Sequence, residues 1–235
     1  MVTEFPLIAI LPVPFSPEQV IIALAVLIPV LVIFSFLLIS EEAFESIGFG
    51  FYQAVLVTAG ALIGSLINIP MIPIGEVIIA VNVGGAVIPL FVTLGMVVRR
   101  RISLPKALAA IAIVSIVAYT FATPTPGIGI TMPFYVSPLA GAAVGLLLAR
   151  GCQTAPGLAY AGGAMGTLIG ADILNLASPA VLTALAGGKT TLLAIGGAGI
   201  FDGIFITGVF SVLLAGYAGR RLRERTGVCP QERGE

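Results

Sequence analysis

The chain has 235 residues, of which 58% are hydrophobic and only 9% are charged, and its mean hydropathy is +1.14. A soluble domain needs a far more polar surface, so this composition predicts an integral membrane protein with the lipid bilayer as its surroundings. The formal net charge of zero argues against nucleic-acid binding, and the absence of histidine excludes histidine-based catalysis and histidine-ligated metal sites. We therefore expect no metal, no cofactor and no nucleic-acid partner.

The hydropathy pattern, taken in chain order, predicts an all-α fold with seven transmembrane helices. Most of the apolar runs approach the roughly 20 residues that a helix needs to cross a bilayer. The stretch TPTPGIG at residues 123–129 cannot be helical, because prolines lack a backbone donor, and it separates the fourth span from the fifth. The predicted spans cover residues 19–40, 51–69, 77–98, 104–122, 134–148, 156–176 and 190–219.

Lysine and arginine are distributed unevenly over the predicted loops. With seven spans and the N-terminus outside, ten of the eleven basic residues fall on one side, and only Lys189 falls on the other. Basic loops stay in the cytoplasm, so we expect the N-terminus outside the cell and a cytoplasmic tail at residues 221–235. The ten residues on the cytoplasmic side are Arg99, Arg100, Arg101, Lys106, Arg150, Arg220, Arg221, Arg223, Arg225 and Arg233.

Short matching segments recur in the two halves of the chain. GALIGSLI at residues 60–67 resembles GGAMGTLI at 162–169, and GGAVI at 84–88 resembles GGAGI at 196–200, in the same order. Two parallel three-helix repeats explain this order, with a pseudo-two-fold axis along the membrane normal and span four as a linker. The single membrane domain then divides at about 10–101 for repeat one, 104–122 for the linker helix and 130–220 for repeat two.

Glycines four residues apart recur within the spans. Gly141 and Gly145 share one face of span five, and Gly162, Gly166 and Gly170 share one face of span six. Because a glycine face lets a neighbouring backbone approach closely, these pairs predict tight packing between helices.

Polar side chains inside the spans mark the candidate site. Asp172 in span six and Asp202 in span seven are acidic residues within apolar segments, where a carboxylate is costly and therefore indicates a function. Asn175 shares a helix face with Asp172, and Asn82 and Asn68 lie near the corresponding positions of the first repeat. We expect these five residues to line a polar, outward-facing cavity at the interface of the repeats.

One hypothesis from these residues is transport of a small solute or an ion. The two repeats would rock about a site in which Asp172 or Asp202 binds a proton or a cation. The layout of three, one and three helices resembles the SWEET transporters, as does the placement of Asn82 in span three and Asp202 in span seven. This resemblance implies a carrier.

The alternative hypothesis is intramembrane proteolysis. Two carboxylates in contact cannot both ionise, so one acts as an acid while the other activates water to hydrolyse a membrane peptide. The segment GIFDGIFITG at residues 199–208 is similar to the second motif of the GxGD intramembrane proteases, with Phe201 in place of the glycine before the aspartate. That resemblance implies a catalytic dyad of Asp172 and Asp202. Transport is favoured, because a proteolytic site does not require a repeat.

The chain as a whole resembles an uncharacterised family of archaeal and bacterial multi-span proteins that share a domain of unknown function. Three segments carry this resemblance: GIGITMPFYVSPL at residues 127–139, GTLIGADILNL at 166–176 and IGGAGIFDGIFITG at 195–208. The resemblance implies a polytopic protein of the prokaryotic inner membrane and supplies no activity.

Overall fold

The computed structural model describes residues 16–75, 77–126, 128–149, 153–186, 191–197 and 203–226. The chain divides into two units, Met1–Leu38 and Ile39–Glu235. In the first unit, helix α1 (Pro17–Ser46) is apolar from residue 20 to residue 38 except at Ser35, and aliphatic side chains such as Ile21 and Val26 are more than 60% exposed. A helix of this length with apolar side chains all round is suited to lipid.

Helices also dominate the second unit, which confirms the mostly helical prediction. Its helices are α2 (Phe51–Gly64), α3 (Ile88–Val98), α4 (Leu104–Phe121), α5 (Val136–Leu148), α6 (Ala155–Tyr160), α7 (Leu174–Leu176), α8 (Pro179–Ala186) and α9 (Gly203–Thr226). Wider π-helical turns occur at Val83–Val87, Ala161–Met165 and Leu168–Ile173. The last two join α6 to α7 in one continuous helix, Ala155–Leu176, which we call the central helix.

Four helices are long and apolar enough to cross a membrane, and they confirm the class of membrane protein. They are Glu18–Ser46, Leu104–Phe121, Ala155–Leu176 and Gly203–Leu222. Three shorter apolar helices, Phe51–Gly64, Val83–Val98 and Val136–Leu148, correspond in position to predicted spans two, three and five. The count of seven spans therefore stays a prediction.

The all-α prediction requires a correction, because five strands accompany the helices among the described residues. They are β1 (Asn68–Ile74), β2 (Val77–Asn82), β3 (Thr123–Thr125), β4 (Gly129–Thr131) and β5 (Thr191–Ile195). Predicted spans three and seven each include one of these strands, β2 and β5, and predicted span two ends within β1. A short apolar run such as VIIAV or TLLAI suits a buried strand as well as a helix, so hydropathy alone cannot separate the two.

Strand β2 lies at the centre of a three-stranded sheet, antiparallel to β1 and parallel to β5. Pro70 and Pro73 prevent β1 from continuing helix α2, and they fit an edge strand because proline cannot donate to a second neighbour. Val77 of β2 packs with Leu182 and Leu185 of α8 in a hydrophobic core. Strands β3 and β4 form a separate antiparallel hairpin, which covers the predicted loop at residues 123–129 and extends to residue 131.

The central helix is largely buried, and glycine lets its neighbours approach. A Cβ atom added to Gly166 would lie 2.6 Å from the Cβ of Val114 in α4, and one added to Gly162 would lie 3.3 Å from that of Ala110. Helix α5 also packs closely on the central helix, because a Cβ added to Gly145 of α5 would lie 2.7 Å from the carbonyl oxygen of Ala155. The predicted close packing along these glycine faces is confirmed.

Several helix ends that carry basic residues meet on one face of the second unit. The guanidinium of Arg101, after α3, donates a 3.1 Å hydrogen bond to the carbonyl oxygen of Ile47, after α1. Arg220 in α9 lies 3.8 Å from the carboxylate of Glu42 in the last part of α1. These contacts bring the α1–α2 turn, the α3–α4 turn and the end of α9 together, and we call this side the basic face.

Candidate functional site

The parallel pairing of β2 and β5 places the carboxyl ends of two strands side by side, with Val81 opposite Ile195. Each strand is followed by a glycine pair, Gly84-Gly85 after β2 and Gly196-Gly197 after β5. A Cβ atom added to Gly196 would lie 2.8 Å from the backbone nitrogen of Ala86, in the turn after β2. The two strand ends therefore touch backbone to backbone.

The carboxylate of Asp172 bonds to the glycine pair after β5. Its Oδ2 accepts a 2.7 Å hydrogen bond from the backbone N–H of Gly196, and the N–H of Gly197 is a second backbone donor to this carboxylate. Both glycines have left-handed backbone angles, with φ of 98° and 78°, which side-chain-bearing residues rarely adopt. Asp172 itself projects from the π-helical segment Leu168–Ile173, where the helix is widened. An irregular helix and an irregular strand end thus meet at one carboxylate.

Asp172 and Gly197 also line a cavity of about 520 Å³. Asp172 is the only carboxylic acid among the described residues that line it. Thr167, Thr207 and Tyr135 add polar groups, and the rest of the wall is apolar or aromatic, including Ile130, Met132, Phe134, Leu139, Ile204 and Phe210. A cavity of this size with few polar groups is typical of a site for a small organic ligand or ion.

Asn68 and Asn82 lie together in the structure, where they bond to each other and to the backbone. The amide of Asn82 donates to the carbonyl oxygen of Ser65 at 2.8 Å and to Oδ1 of Asn68 at 2.9 Å. Its Oδ1 accepts from the N–H of Gly85 at 2.9 Å. Asn82 is fully buried, and neither asparagine lines the Asp172 cavity. Both therefore connect α2, the sheet and the turn after β2.

The side chain of Asn175 also forms its hydrogen bonds with the backbone. Its amide nitrogen donates to the carbonyl oxygens of Ala171 at 2.9 Å and Gly170 at 3.3 Å, within the widened part of the central helix. It is buried and does not line the Asp172 cavity. Its side chain fills the hydrogen-bonding gaps that a π-helical segment creates, directly beside the site residue.

Asp202 lies outside the described residues, so the predicted Asp172–Asp202 pair has no measured separation. Gly203, the next residue in the chain, lines the same cavity as Asp172. Sequence reasoning missed the role of Gly196 and Gly197 as hydrogen-bond donors to Asp172. The available signal in the sequence is the glycine pair itself.

A family model described as a protein of unknown function (DUF1614) matches residues 53–214, which include Asp172 and both glycine pairs. No curated protein and no solved structure matches the chain.

Proposed function

The chain belongs to the DUF1614 family, and we propose that it is a membrane carrier of a small solute or an ion, coupled to a proton or cation that binds at Asp172. The main support for this proposal is that the carboxylate of Asp172 takes part in three features of the site. It bonds to the N–H groups of Gly196 and Gly197, it projects from a π-helical segment, and it lines a cavity of about 520 Å³. Asp202 joins it in the proposal as the second intramembrane carboxylate.

The hydrogen bonds at Asp172 supply a physical link between binding and movement. Bonds to a charged acceptor contribute about 1.5–3 kcal/mol each, against about 0.5–1.5 kcal/mol for neutral partners. A proton or cation bound to the carboxylate would weaken its hydrogen bonds to the N–H groups of Gly196 and Gly197. Since about 1.4 kcal/mol changes an equilibrium tenfold, losing part of this energy is enough to shift the strand end of β5 between two positions.

The two glycine pairs support the proposed parallel repeat. Strands related by an axis parallel to them run in the same direction, and β2 and β5 are parallel. In each half, a glycine N–H after the strand bonds to a side-chain oxygen, from Asn82 in the first half and Asp172 in the second. Discontinuous segments that meet near the membrane midplane are expected of carriers with internal repeats.

We infer seven membrane passes with the basic face in the cytoplasm of a prokaryotic cell. Helix α2 has 14 residues and spans only about 21 Å at 1.5 Å per residue, so the neighbouring strands would supply the remaining length. The turns after α1 and α3 and the end of α9 meet on the basic face, which is expected if every odd-numbered predicted span ends in the cytoplasm.

Flux measurements on purified protein in liposomes test the carrier proposal. Liposomes containing a trapped pH dye, or in a parallel set a Na⁺- or K⁺-sensitive dye, would be given a panel of sugars, amino acids, organic cations, Na⁺ and K⁺. We expect one member of the panel to drive proton or cation movement with the wild-type protein and with Glu42→Gln, which removes an exposed carboxylate. Asp172→Asn should abolish that movement. Equal flux in Asp172→Asn and wild type would refute the proposal.

The second candidate, an intramembrane aspartyl protease, is favoured by one observation on β5. In the sheet formed by the described strands, β5 lies at an edge, and its end leads directly to the glycine N–H groups that bond to Asp172. An extended peptide that added to this edge would be held near the carboxylate. Asp172→Asn and Asp202→Asn should then each abolish cleavage of a membrane-spanning peptide. If the peptide stays intact after incubation with wild-type protein that is active in the flux assay, the protease hypothesis is excluded.

A further inference from the structure

A second cavity, of about 650 Å³, opens on the basic face and is separate from the Asp172 cavity. Arg100, Arg101 and Lys106 line it together with Ser103 and Thr154, and none of the described lining residues is acidic. We propose that this cavity binds a phosphate group, carried either by an anionic lipid or by a free phosphorylated solute. The proposal concerns a binding site beyond the transport site and does not depend on it.

The backbone at Arg100 is the first reason to assign a function to this cavity. Helix α3 ends with hydrogen bonds from the N–H of Arg100 to the Val97 carbonyl at 3.0 Å and from that of Arg101 to the Met96 carbonyl at 2.9 Å. This pattern places Arg100 in a left-handed conformation, with φ of 55°, at the position where glycine is usual. Because glycine would adopt this conformation with less backbone strain, an arginine at this position indicates a role for its side chain.

Arg101 is held in place beside it. One guanidinium nitrogen donates to the carbonyl oxygen of Ile47, and the group packs against Gly48, where an added Cβ would collide with it. An arginine has five N–H donors, so one such bond leaves others to face the cavity. An arginine pre-oriented in this way loses little freedom when it binds a phosphate oxygen.

Helix α4 contributes the third cation and the positive end of its dipole. Lys106 lies in the first turn and is half-buried, and the N-cap residue Ser103 makes no side-chain cap hydrogen bond. The side chain of Ser103 therefore does not cap the first N–H groups of this 18-residue helix, at the end where the three cations lie.

Two sources can supply the phosphate, and both share the chemistry of an oxyanion bound by arginine and lysine. Basic pockets between membrane helices on the cytoplasmic side bind anionic lipid headgroups. Val97, Leu104 and Leu158 add apolar walls to the cavity, which suits the glycerol and first methylene groups of a lipid.

Binding to the full-length protein in nanodiscs of neutral lipid tests the proposal. One arm measures fluorescent phosphatidylglycerol, and the other measures radiolabelled inorganic phosphate and glycerol phosphate. Arg100→Gly removes a cation and relieves the left-handed backbone, so it should bind more weakly while its melting temperature stays equal or rises. Lys106→Gln is the second test variant, and Arg220→Gln is the matched control outside the cavity.

We expect roughly fivefold weaker binding for each cavity cation removed, and unchanged binding in Arg220→Gln. Saturable binding confined to the lipid arm assigns the site to a lipid headgroup, and binding confined to the soluble arm assigns it to a free phosphorylated solute. No saturable binding in either arm would overturn the proposal. An equal loss in Arg220→Gln and Arg100→Gly would also overturn it, since diffuse surface charge would then explain the affinity.

Discussion

The carboxylate of Asp172 and the backbone N–H of Gly196 are joined by a 2.7 Å hydrogen bond across 24 positions of the chain. The bond ties the widened part of the central helix to the end of β5, and through Gly196 to the turn after β2. A site that depends on three irregular backbone segments is sensitive to small changes at any of them.

Replacement of Asp172 separates its hydrogen-bonding role from its charge. Asp172→Ala leaves the N–H groups of Gly196 and Gly197 without their acceptor, which should lower the free energy of unfolding by about 1–3 kcal/mol. Asp172→Asn keeps an acceptor oxygen and should cost less than half as much. Thermal unfolding of both variants in detergent measures the difference. Equal losses in the two variants would show that charge, rather than an acceptor, holds the glycine pair.

Gly196→Ala should destabilise the protein for two reasons. The left-handed backbone costs a side-chain-bearing residue roughly 1–2 kcal/mol. The new Cβ would also lie 2.8 Å from the backbone nitrogen of Ala86, an overpacking that costs about 1–3 kcal/mol more. Gly216→Ala is the matched control, since a Cβ there meets nothing within 4 Å and alanine favours the helix. The melting temperature should fall in the first variant and stay level or rise in the second.

Asn82→Ala should reduce stability rather than ligand affinity. The change leaves the Ser65 carbonyl and the Gly85 N–H without their side-chain partner in a buried position. Each such group costs about 1–3 kcal/mol. Unfolding would be followed together with the flux of the protein fraction that remains folded. A weaker apparent affinity at unchanged stability would place Asn82 at the transport site instead.

Close packing of the central helix on α4 can be tested with a compensating pair. Gly166→Ala should cost about 1–3 kcal/mol, because the new Cβ would lie 2.6 Å from that of Val114. Val114→Gly removes that Cβ together with both methyl groups, so the double variant should be more stable than the sum of the two single changes predicts. A double-mutant cycle of unfolding energies measures this coupling. Strict additivity would mean that the two residues do not contact each other.

Composition and glycine spacing were enough to predict the membrane class and the close helix packing. Both depend on local properties that each residue carries with it. The low charge requires lipid around the chain, and the glycines at 162, 166 and 170 share a helix face in any α-helical structure. The choice of Asp172 as a site residue rested on the cost of a carboxylate in an apolar segment, which is also a local property.

Tertiary structure alone decided the strands and the partners of the polar residues. Whether VIIAV forms a strand depends on its pairing with residues 68–74 and 191–195. The first segment is close to VIIAV in the sequence and the second is more than a hundred residues away. Asn68 and Asn82 look like site residues in the sequence, yet their amides are used by each other and by backbone groups. Such pairings follow from long-range contacts, because a hydrogen-bond partner is set by position in space and periodicity along the chain does not specify it.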